Sequence, residues 1–199
     1  MACTVLTKGR GLDCSRSLGG VKNVYFGVYD QFDSPTDGTG IIVSSAEVTD
    51  IEMVGNNVYK YALPKGTASV TETINGSTEA GTIYYTPSIT IQLNKLTKED
   101  QNELKALGQS KLIVFAELNE RLAVSPFNNV ILCLGIKNGM HLNAGSNVSG
   151  AAWADRNGYE WTLDGMEQEP MSMVADYPAS GPLTNPAFNG GAGLTITTS

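Results

Sequence analysis

A histidine and a cysteine are the candidate catalytic residues of this chain, since an imidazole can activate a thiol as a nucleophile. His141 is the only histidine, and Cys133 precedes it closely in the sequence. No motif around either residue is typical of a catalytic triad. We therefore interpret His141 as a structural or surface residue and Cys133 as a small apolar residue of a buried strand. A hydrolase that uses this pair is the least favoured of three functional hypotheses, and the other two, a binding module and a structural protein, follow below.

Metal and phosphate sites are only weakly indicated. Asp30, Asp33 and Asp37 could supply oxygen ligands to calcium, but their spacing departs from the EF-hand pattern. A solvated acidic loop is the preferred interpretation. The glycine-rich stretches at residues 19–20 and 190–193 lack the lysine of a phosphate-binding loop. We therefore expect no cofactor and no bound metal.

Two aromatic residues, Tyr159 and Trp161, alternate in a predicted strand. Aromatic faces can stack on a sugar or a base, yet a strand that turns them toward a core explains them equally well, and we favour the core. A capsid-decoration or carbohydrate-binding β-sandwich module, using these residues or Tyr84 and Tyr85, is the alternative hypothesis for function.

A strand–helix–strand unit is the most clearly predicted part of the chain. Residues 88–93 alternate polar and apolar side chains, which indicates a half-buried strand. Thr97 is a candidate N-cap, and Asp100 follows three residues later, as in a capping box. These signals predict a short helix from about Thr97 to Leu107, which Gly108 would end in the left-handed conformation.

The strand after this helix, residues 111–118, is apolar on both faces and is therefore predicted to lie between two layers. The helix is expected to cover one of them. The rest of the chain alternates short strand patterns with turn residues and has no repeating βαβ rhythm. The predicted fold class is mainly β (α+β), a β-sandwich or rolled β-barrel with one packed α-helix.

Three regions are predicted along the chain. Residues 1–20 form a polar, basic N-terminal arm that we expect to become ordered on a partner. Residues 21–176 form the β-rich domain. Residues 177–199 contain several prolines and glycines and are predicted to form an irregular tail.

A β-hairpin arm is predicted near residues 68–85, with its turn at Asn75-Gly76. Its Thr-rich strand has the propensity to pair but too few apolar residues to be stable alone. We therefore expect the edge of a neighbouring subunit to complete it by strand addition. The residues of this predicted oligomerisation hairpin are Val70, Thr71, Glu72, Thr73 and Ile74.

Charge and composition exclude some classes of protein. The 199 residues carry a formal net charge of −7, whereas a protein that binds duplex DNA needs clustered Lys and Arg. The N-terminus has no apolar h-region, and no apolar run approaches the roughly 20 residues of a membrane-spanning helix. We therefore expect a protein made in the cytoplasm that has no membrane partner. The three cysteines lack zinc spacing and are interpreted as reduced thiols, with a Cys3–Cys14 bridge as the alternative.

The order of strand, capped helix, strand and hairpins, ending in G-Y-E-W-T-L-D-G-M-E-Q-E-P, resembles the tail-tube and related ring-forming tail proteins of bacteriophages. The resemblance is carried by residues 161–170, by the D-R-N-G-Y turn before them and by the helix that follows S-I-T-I-Q-L. It covers residues 58–174. It implies a non-enzymatic virion protein that forms a homo-oligomeric ring in the tail or neck. The ring is expected to be hexameric and stackable, to contact other tail or neck proteins, and to line a channel for DNA.

An acidic channel would let DNA pass without specific binding, because it repels the phosphates. From residue 150 onward the sequence holds several acidic residues and a single basic one, Arg156, whereas residues 1–20 are basic. This asymmetry would suit head-to-tail contacts between rings. The acidic residues predicted to line the channel or an interface are Asp155, Glu160, Asp164, Glu167 and Glu169.

Overall fold

β-Strands dominate the structure, which is a computed structural model of the chain. It describes residues 10, 17–32, 40–55, 57–122, 128–174, 183, 188 and 193–198. Strands account for 55% of the structure and helix for 8%. The predicted mainly β fold with one helix is therefore confirmed.

One α-helix and twelve strands occur among the described residues. The helix is α1 (Lys98–Leu107), and a short 3₁₀ turn covers Tyr29–Gln31. The strands are β1 (Val21–Val28), β2 (Ile41–Ser44), β3 (Glu47–Ile51), β4 (Asn57–Ala62), β5 (Ala68–Ser77), β6 (Thr82–Asn94), β7 (Leu112–Arg121), β8 (Asn129–Leu134), β9 (His141–Val148), β10 (Gly158–Asp164), β11 (Ser172–Val174) and β12 (Thr195–Thr197).

These strands form a large sheet and a small sheet. The large sheet has eight strands in the order β12-β4-β1-β7-β8-β11-β3-β2, and the small sheet has four in the order β5-β6-β10-β9. Every pair in the small sheet is antiparallel. In the large sheet, β11 is parallel to β3 and β12 is parallel to β4. The centre of the large sheet is therefore β1, β7 and β8, and the edges of the small sheet are β5 and β9.

The first hydrophobic core, which we call the rolled-sheet core, lies on one face of the large sheet. Ile113 and Phe115 of β7 point into it. Ile41 comes from the edge strand β2, and Val58 comes from β4 near the opposite edge, yet both belong to the same cluster. The large sheet must therefore curl around this core.

The second hydrophobic core, the sandwich core, lies between the two sheets. Val114 and Ala116 alternate with the residues of the first core and point to this side of β7. The small sheet contributes Ile89, Ile91 and Trp161 to it. Strand β7 is thus buried on both faces between two layers, as its sequence predicts.

Helix α1 begins as the sequence predicts and ends differently. The Thr97 hydroxyl accepts a hydrogen bond from the Asp100 N–H at 3.1 Å and donates one to the Asp100 carboxylate at 2.6 Å. Gly108 has a φ of −69°, so the predicted left-handed conformation is wrong. Its N–H donates to the Leu104 carbonyl at 2.9 Å, and the Gln109 N–H donates to the Ala106 carbonyl at 3.2 Å. The last turn therefore closes by tightening rather than by reversing its hand.

The predicted irregular tail is wrong for the residues that can be described. Thr195–Thr197 forms β12, which pairs with β4 along the edge of the large sheet. Leu183, Phe188 and Leu194 are buried in the rolled-sheet core. Although these apolar residues are widely spaced in the sequence, they pack into the core that the earlier strands form.

Two turns also differ from their predictions. Asn75 and Gly76 lie within β5, because the pairing of β5 with β6 continues to Ser77 opposite Thr82 and the turn follows at residues 78–81. The D-R-N-G-Y turn does not close a two-residue hairpin either, because β10 pairs with β9 and residues 149–157 all form the loop between them. In both places the ladder of cross-strand hydrogen bonds overrides the local turn signal.

Parts of the predicted arm and loops lie outside the described residues. This applies to residues 1–9 and 11–16 of the N-terminal arm and to Asp33 and Asp37 of the acidic loop. Residues 17–20, the described end of the arm, are exposed.

The helix cap and the helix face should contribute differently to stability. Replacing Thr97 by Ala removes the acceptor for the Asp100 N–H and should lower the free energy of unfolding by about 1 kcal/mol. Leu107→Ala should cost more, about 2–5 kcal/mol, because Leu107 is buried in the sandwich core. Denaturant melts would measure both losses, and equal negligible losses would contradict this account of α1.

Candidate functional site

The structure does not assemble the thiol–imidazole pair. Cys133 is fully buried on β8 in the rolled-sheet core. Burial raises the pKa of its thiol, and the charge of Glu167 raises it further. His141 is exposed at the start of β9 in the small sheet. The small sheet packs on the face of the large sheet opposite to the rolled-sheet core that contains Cys133. No group of three or more metal-ligating side chains occurs within the described ranges either.

The aromatic pair predicted for the core is buried there. Tyr159 and Trp161 are 0% and 1% exposed, so neither face is open to a sugar or a base. The Tyr159 hydroxyl donates to the Thr97 carbonyl at 2.9 Å and accepts from the Thr97 N–H at 3.2 Å. Tyr159 therefore ties β10 to the start of α1, a structural role.

Two of the predicted acidic residues share one exposed surface. Glu160 and Asp164 lie on β10 and face away from the sandwich core, since Trp161 and Leu163 between and beside them point into it. The Glu160 carboxylate accepts from Gln92 Nε2 at 3.0 Å. This surface is the outer face of the small sheet.

The other predicted acidic residues lie elsewhere. The Asp155 carboxylate accepts hydrogen bonds within the loop before β10, and Glu169 is exposed beyond β10. Glu167 is only 6% exposed. Its carboxylate accepts the N–H groups of Lys137 at 3.2 Å and Asn138 at 2.9 Å. In the single chain, Glu167 thus stabilises the turn between β8 and β9 rather than lining an open surface.

Burial raises the pKa of Glu167, although the backbone hydrogen bonds and the charge of Lys111 oppose the rise. The backbone of Glu167 also pairs with Tyr85 in both directions, at 2.9 and 2.8 Å. This segment therefore joins the β5–β6 hairpin, at the level where Tyr85 lies opposite Ile74, to the body of the protein.

The outer face of the small sheet is made of short polar side chains. The hydroxyls of Thr90 and Thr162 are 3.2 Å apart across β6 and β10. Across the strands, the rows on this face are Ser69–Thr90–Thr162–Ala144, Thr71–Ser88–Asp164–His141 and Gln92–Glu160–Ser146.

The four strands of the small sheet contain no Lys and no Arg, although the chain has 13 of these residues. Their only acidic residues are Glu72, Glu160 and Asp164. A negatively charged polymer that approached the outer face would therefore meet hydroxyls and carboxylates, with Arg156 held at 3.0 Å from Glu160 at one end of β10.

Both edges of the small sheet are open within the part of the chain that the structure describes. β5 and β9 each pair on one side only. Proteins commonly protect such edges with Lys or Pro. Neither strand contains either residue. Edges of this length without Lys or Pro are open to pairing with another chain, although the ladder between β9 and β10 is irregular between Thr162 and Leu163.

The β5–β6 hairpin extends the apolar face of the small sheet beyond the core. Val70 opposite Ile89 lies at its base against the sandwich core. Farther out on the same face, Ile74 lies opposite Tyr85, and Ile83 follows. Ile74 is 66% exposed and Ile83 is 62% exposed. The distal part of the hairpin, residues 74–85, thus presents apolar side chains that remain mostly exposed in the described chain. We call this part the arm, which is distinct from the N-terminal arm of residues 1–20.

A polar cluster that no sequence motif predicts lies inside the large sheet. Glu117 of β7 is 4% exposed, and its carboxylate accepts hydrogen bonds from Asn23 at 2.6 Å and from the Tyr25 hydroxyl at 2.8 Å. Asn129 and the Lys22 ammonium also donate to it. The only sequence signal was a carboxylate in the same alternation as Ile113 and Phe115, on an otherwise apolar strand.

The environment of Glu117 favours its charged form. Burial alone would raise its pKa, but the hydrogen bonds from Asn23, Asn129 and Tyr25, together with the charge of Lys22, outweigh burial and lower the pKa. All four partners lie on β1 or β8, the neighbours of β7. The cluster therefore joins the three central strands and is structural.

Glu117→Gln should lower the free energy of unfolding at pH 7 by about 1.5–3 kcal/mol, because the donors lose a charged acceptor. The folded-state pKa of Glu117 lies below its unfolded value. Its contribution is therefore complete above the unfolded pKa and is lost as the pH falls through the folded pKa. The stability difference between wild type and variant should shrink below about pH 4.

Urea melts across this pH range would measure the difference. Glu99→Gln, on the exposed face of α1, is the control and should change stability little at any pH. A difference for Glu117→Gln that grows on acidification would contradict the assigned direction of the pKa shift.

Comparison with known proteins finds no family model, no curated protein and no solved structure that matches this chain. Within the described ranges, no helix has the length and apolar character needed to cross a bilayer. The function must therefore be inferred from the small sheet and its surfaces.

Proposed function

We propose that this protein is a non-enzymatic structural subunit of a phage virion that forms rings of the tail tube or of the tail and neck. The observation that carries the proposal is the small sheet, whose two edges are open among the described residues and whose four strands contain no Lys or Arg. The resemblance of the sequence to tail-tube proteins supports the same assignment.

The strand directions favour closure into a ring. Because neighbouring strands in the small sheet are antiparallel and number four, β5 and β9 run in opposite directions. If copies are related by rotation about an axis along the strands, β5 of one subunit meets β9 of the next in antiparallel orientation. Such a heterologous contact, repeated around the axis, produces a closed ring. The resemblance to tail-tube proteins gives six as the expected number of subunits.

The composition of the outer face suits a channel for DNA. In the proposed ring the small sheets form a continuous barrel with this face toward the axis. Hydroxyl side chains keep the lining hydrated and Asp164 repels phosphates, while Glu160 neutralises Arg156 in their 3.0 Å ion pair. DNA would pass without specific binding. The large sheet, on the other side of the sandwich core, would face outward toward other tail or neck proteins.

The alternative, a carbohydrate-binding or capsid-decoration module, has less support. Its leading candidates for stacking, Tyr159 and Trp161, are buried, whereas Tyr84 on the arm is 40% exposed. A thiol hydrolase has the least support, since Cys133 is buried and remote from solvent.

Ring formation should depend on the open edge of β9. Backbone N–H groups in an edge strand point alternately toward its partner and toward the open side. Proline at one of the two neighbouring positions, in Ser146→Pro or Asn147→Pro, therefore removes an N–H that is bonded to β10, and proline at the other removes only an N–H on the open side. The variant that loses only the open-side N–H should keep the circular dichroism spectrum and melting temperature of the wild type but fail to form rings.

Negative-stain electron microscopy and light scattering would measure assembly of wild type and both variants. Wild-type protein should form rings. A fold-retaining proline variant that assembles like the wild type would exclude β9 as the lateral contact. A wild type that stays monomeric under all conditions would overturn the ring proposal and favour the decoration module.

The charge of the proposed channel should decide whether it retains DNA. Glu160→Lys combined with Asp164→Lys should make assembled rings bind duplex DNA, with an affinity that falls steeply as salt increases. Glu99→Lys combined with Glu103→Lys makes the same charge change on the exposed face of α1 and is the control. Gel-shift assays at several salt concentrations would compare them, and equal DNA binding by the two variants would argue against a channel lined by β10.

A further inference from the structure

Trp153 is the most exposed large apolar side chain of the described residues, with a relative accessibility of 107%. It lies in the loop 149–157 between β9 and β10. The only other tryptophan, Trp161, is buried in the sandwich core. Tryptophan is enriched among the residues that dominate interface energetics, so a partner that covered the exposed indole would gain much from burying it.

The loop holds Trp153 in a defined position. The Asp155 carboxylate accepts the N–H groups of Ala151 at 2.9 Å and Ala152 at 2.7 Å, and the Asp155 N–H donates to the Ala152 carbonyl at 3.0 Å. These backbone hydrogen bonds lower the pKa of Asp155. Gly150 has a φ of +72°, which a residue with a Cβ rarely adopts. An indole on a loop fixed in this way loses little conformational entropy on binding.

The loop and the arm lie at opposite ends of the small sheet. β6 runs from the arm to α1, and Gly158 at the start of β10 pairs with Asn94 at the end of β6. The Lys95 N–H also donates to the Asn157 carbonyl at 2.7 Å. Trp153 is therefore at the α1 end of the sheet, whereas Ile74 and Ile83 project from the other end. The two apolar features cannot cover one another within one subunit.

We propose that Trp153 is the anchor of an axial contact between two copies of this chain, in which it packs against Ile74 and Ile83 on the arm of the copy stacked on it. The proposal rests on the ring described above and specifies how rings stack. It explains why the apolar face of the hairpin continues beyond the core and why the only fully exposed indole lies at the opposite end.

A second copy is the occupant that the geometry favours. Because the two features lie at opposite ends of one strand direction, a contact between them is heterologous and repeats from copy to copy. Contacts between two Trp153 side chains would be isologous and would stop at a pair. The loop-to-arm contact thus gives the stack a single polarity.

The contact is too small to act alone. One tryptophan and two isoleucines bury far less than the roughly 1,200–2,000 Å² of a stable interface. A ring presents the contact once for every subunit, and such multivalency can strengthen association by orders of magnitude without new contacts. Rings should therefore form first and stack second.

Tryptophan fluorescence and electron microscopy of the full chain test the proposal. The emission of Trp153 in wild type should shift to shorter wavelength, and its quenching by acrylamide should decrease, when rings stack. The double variant Ile74→Ser with Ile83→Ser should still form rings but keep the emission of an exposed indole. Its ring-to-ring association constant should fall about tenfold or more.

Trp153→Ala should likewise give single rings without stacks, and Trp153→Phe, which keeps an aromatic anchor, should restore much of the stacking. Val54→Ser removes an apolar side chain outside the small sheet that is 67% exposed, close to the 66% of Ile74, and should stack like the wild type. Stacking of Trp153→Ala at the wild-type level, or unchanged wild-type emission in stacked rings, would overturn the axial contact while leaving the ring intact. A wild type that forms no rings would overturn both proposals.

Discussion

The burial of one charged carboxylate at the end of the central strands is the interaction on which the rest of the structure depends. The ladder between β1 and β7 is irregular between Val21 and Asn23, and the ladder between β7 and β8 is irregular between Glu117 and Arg121. Glu117 lies where both ladders weaken, and its carboxylate collects donors from β1 and β8. A buried acceptor of this kind is costly when unpaired, so the alignment of the three strands that brings these donors to Glu117 is favoured over alignments that leave it unpaired.

The alignment of these strands decides where both cores lie. Successive side chains of β7 point into the rolled-sheet core and the sandwich core in turn. A shift of the strand by one residue would exchange the two sets and turn Glu117 toward the sandwich core, away from its hydrogen-bond donors. The small sheet rests on the sandwich core through Ile89, Ile91 and Trp161. Tyr159 then joins this sheet to the cap of α1. The position of the polar outer face is thus a consequence of packing on its opposite, apolar face.

The small sheet departs from the usual design of an independent β-protein. A monomer with two unprotected edges and an apolar arm is prone to uncontrolled association, because open edges pair with other chains. Closure into a ring would use the edges, and stacking would cover the arm and Trp153. In the assembly that we propose, the features that are unfavourable for a monomer become contacts between subunits, and the outer face of the small sheet, whose strands contain no Lys or Arg, lines the enclosed surface.

The sequence by itself determined the elements whose signals are local. The capping pair Thr97 and Asp100 specifies the start of α1, and the double-sided apolar pattern of β7 specifies a strand between layers. What the tertiary structure decided are features that depend on residues distant in the chain. These include the role of Glu117, the burial of Leu183 and Phe188, and the placement of Glu160 and Asp164 together while Glu167 is buried. A local pattern cannot encode them, because the free energy of each depends on which strands become neighbours, and that is set by packing across the whole chain.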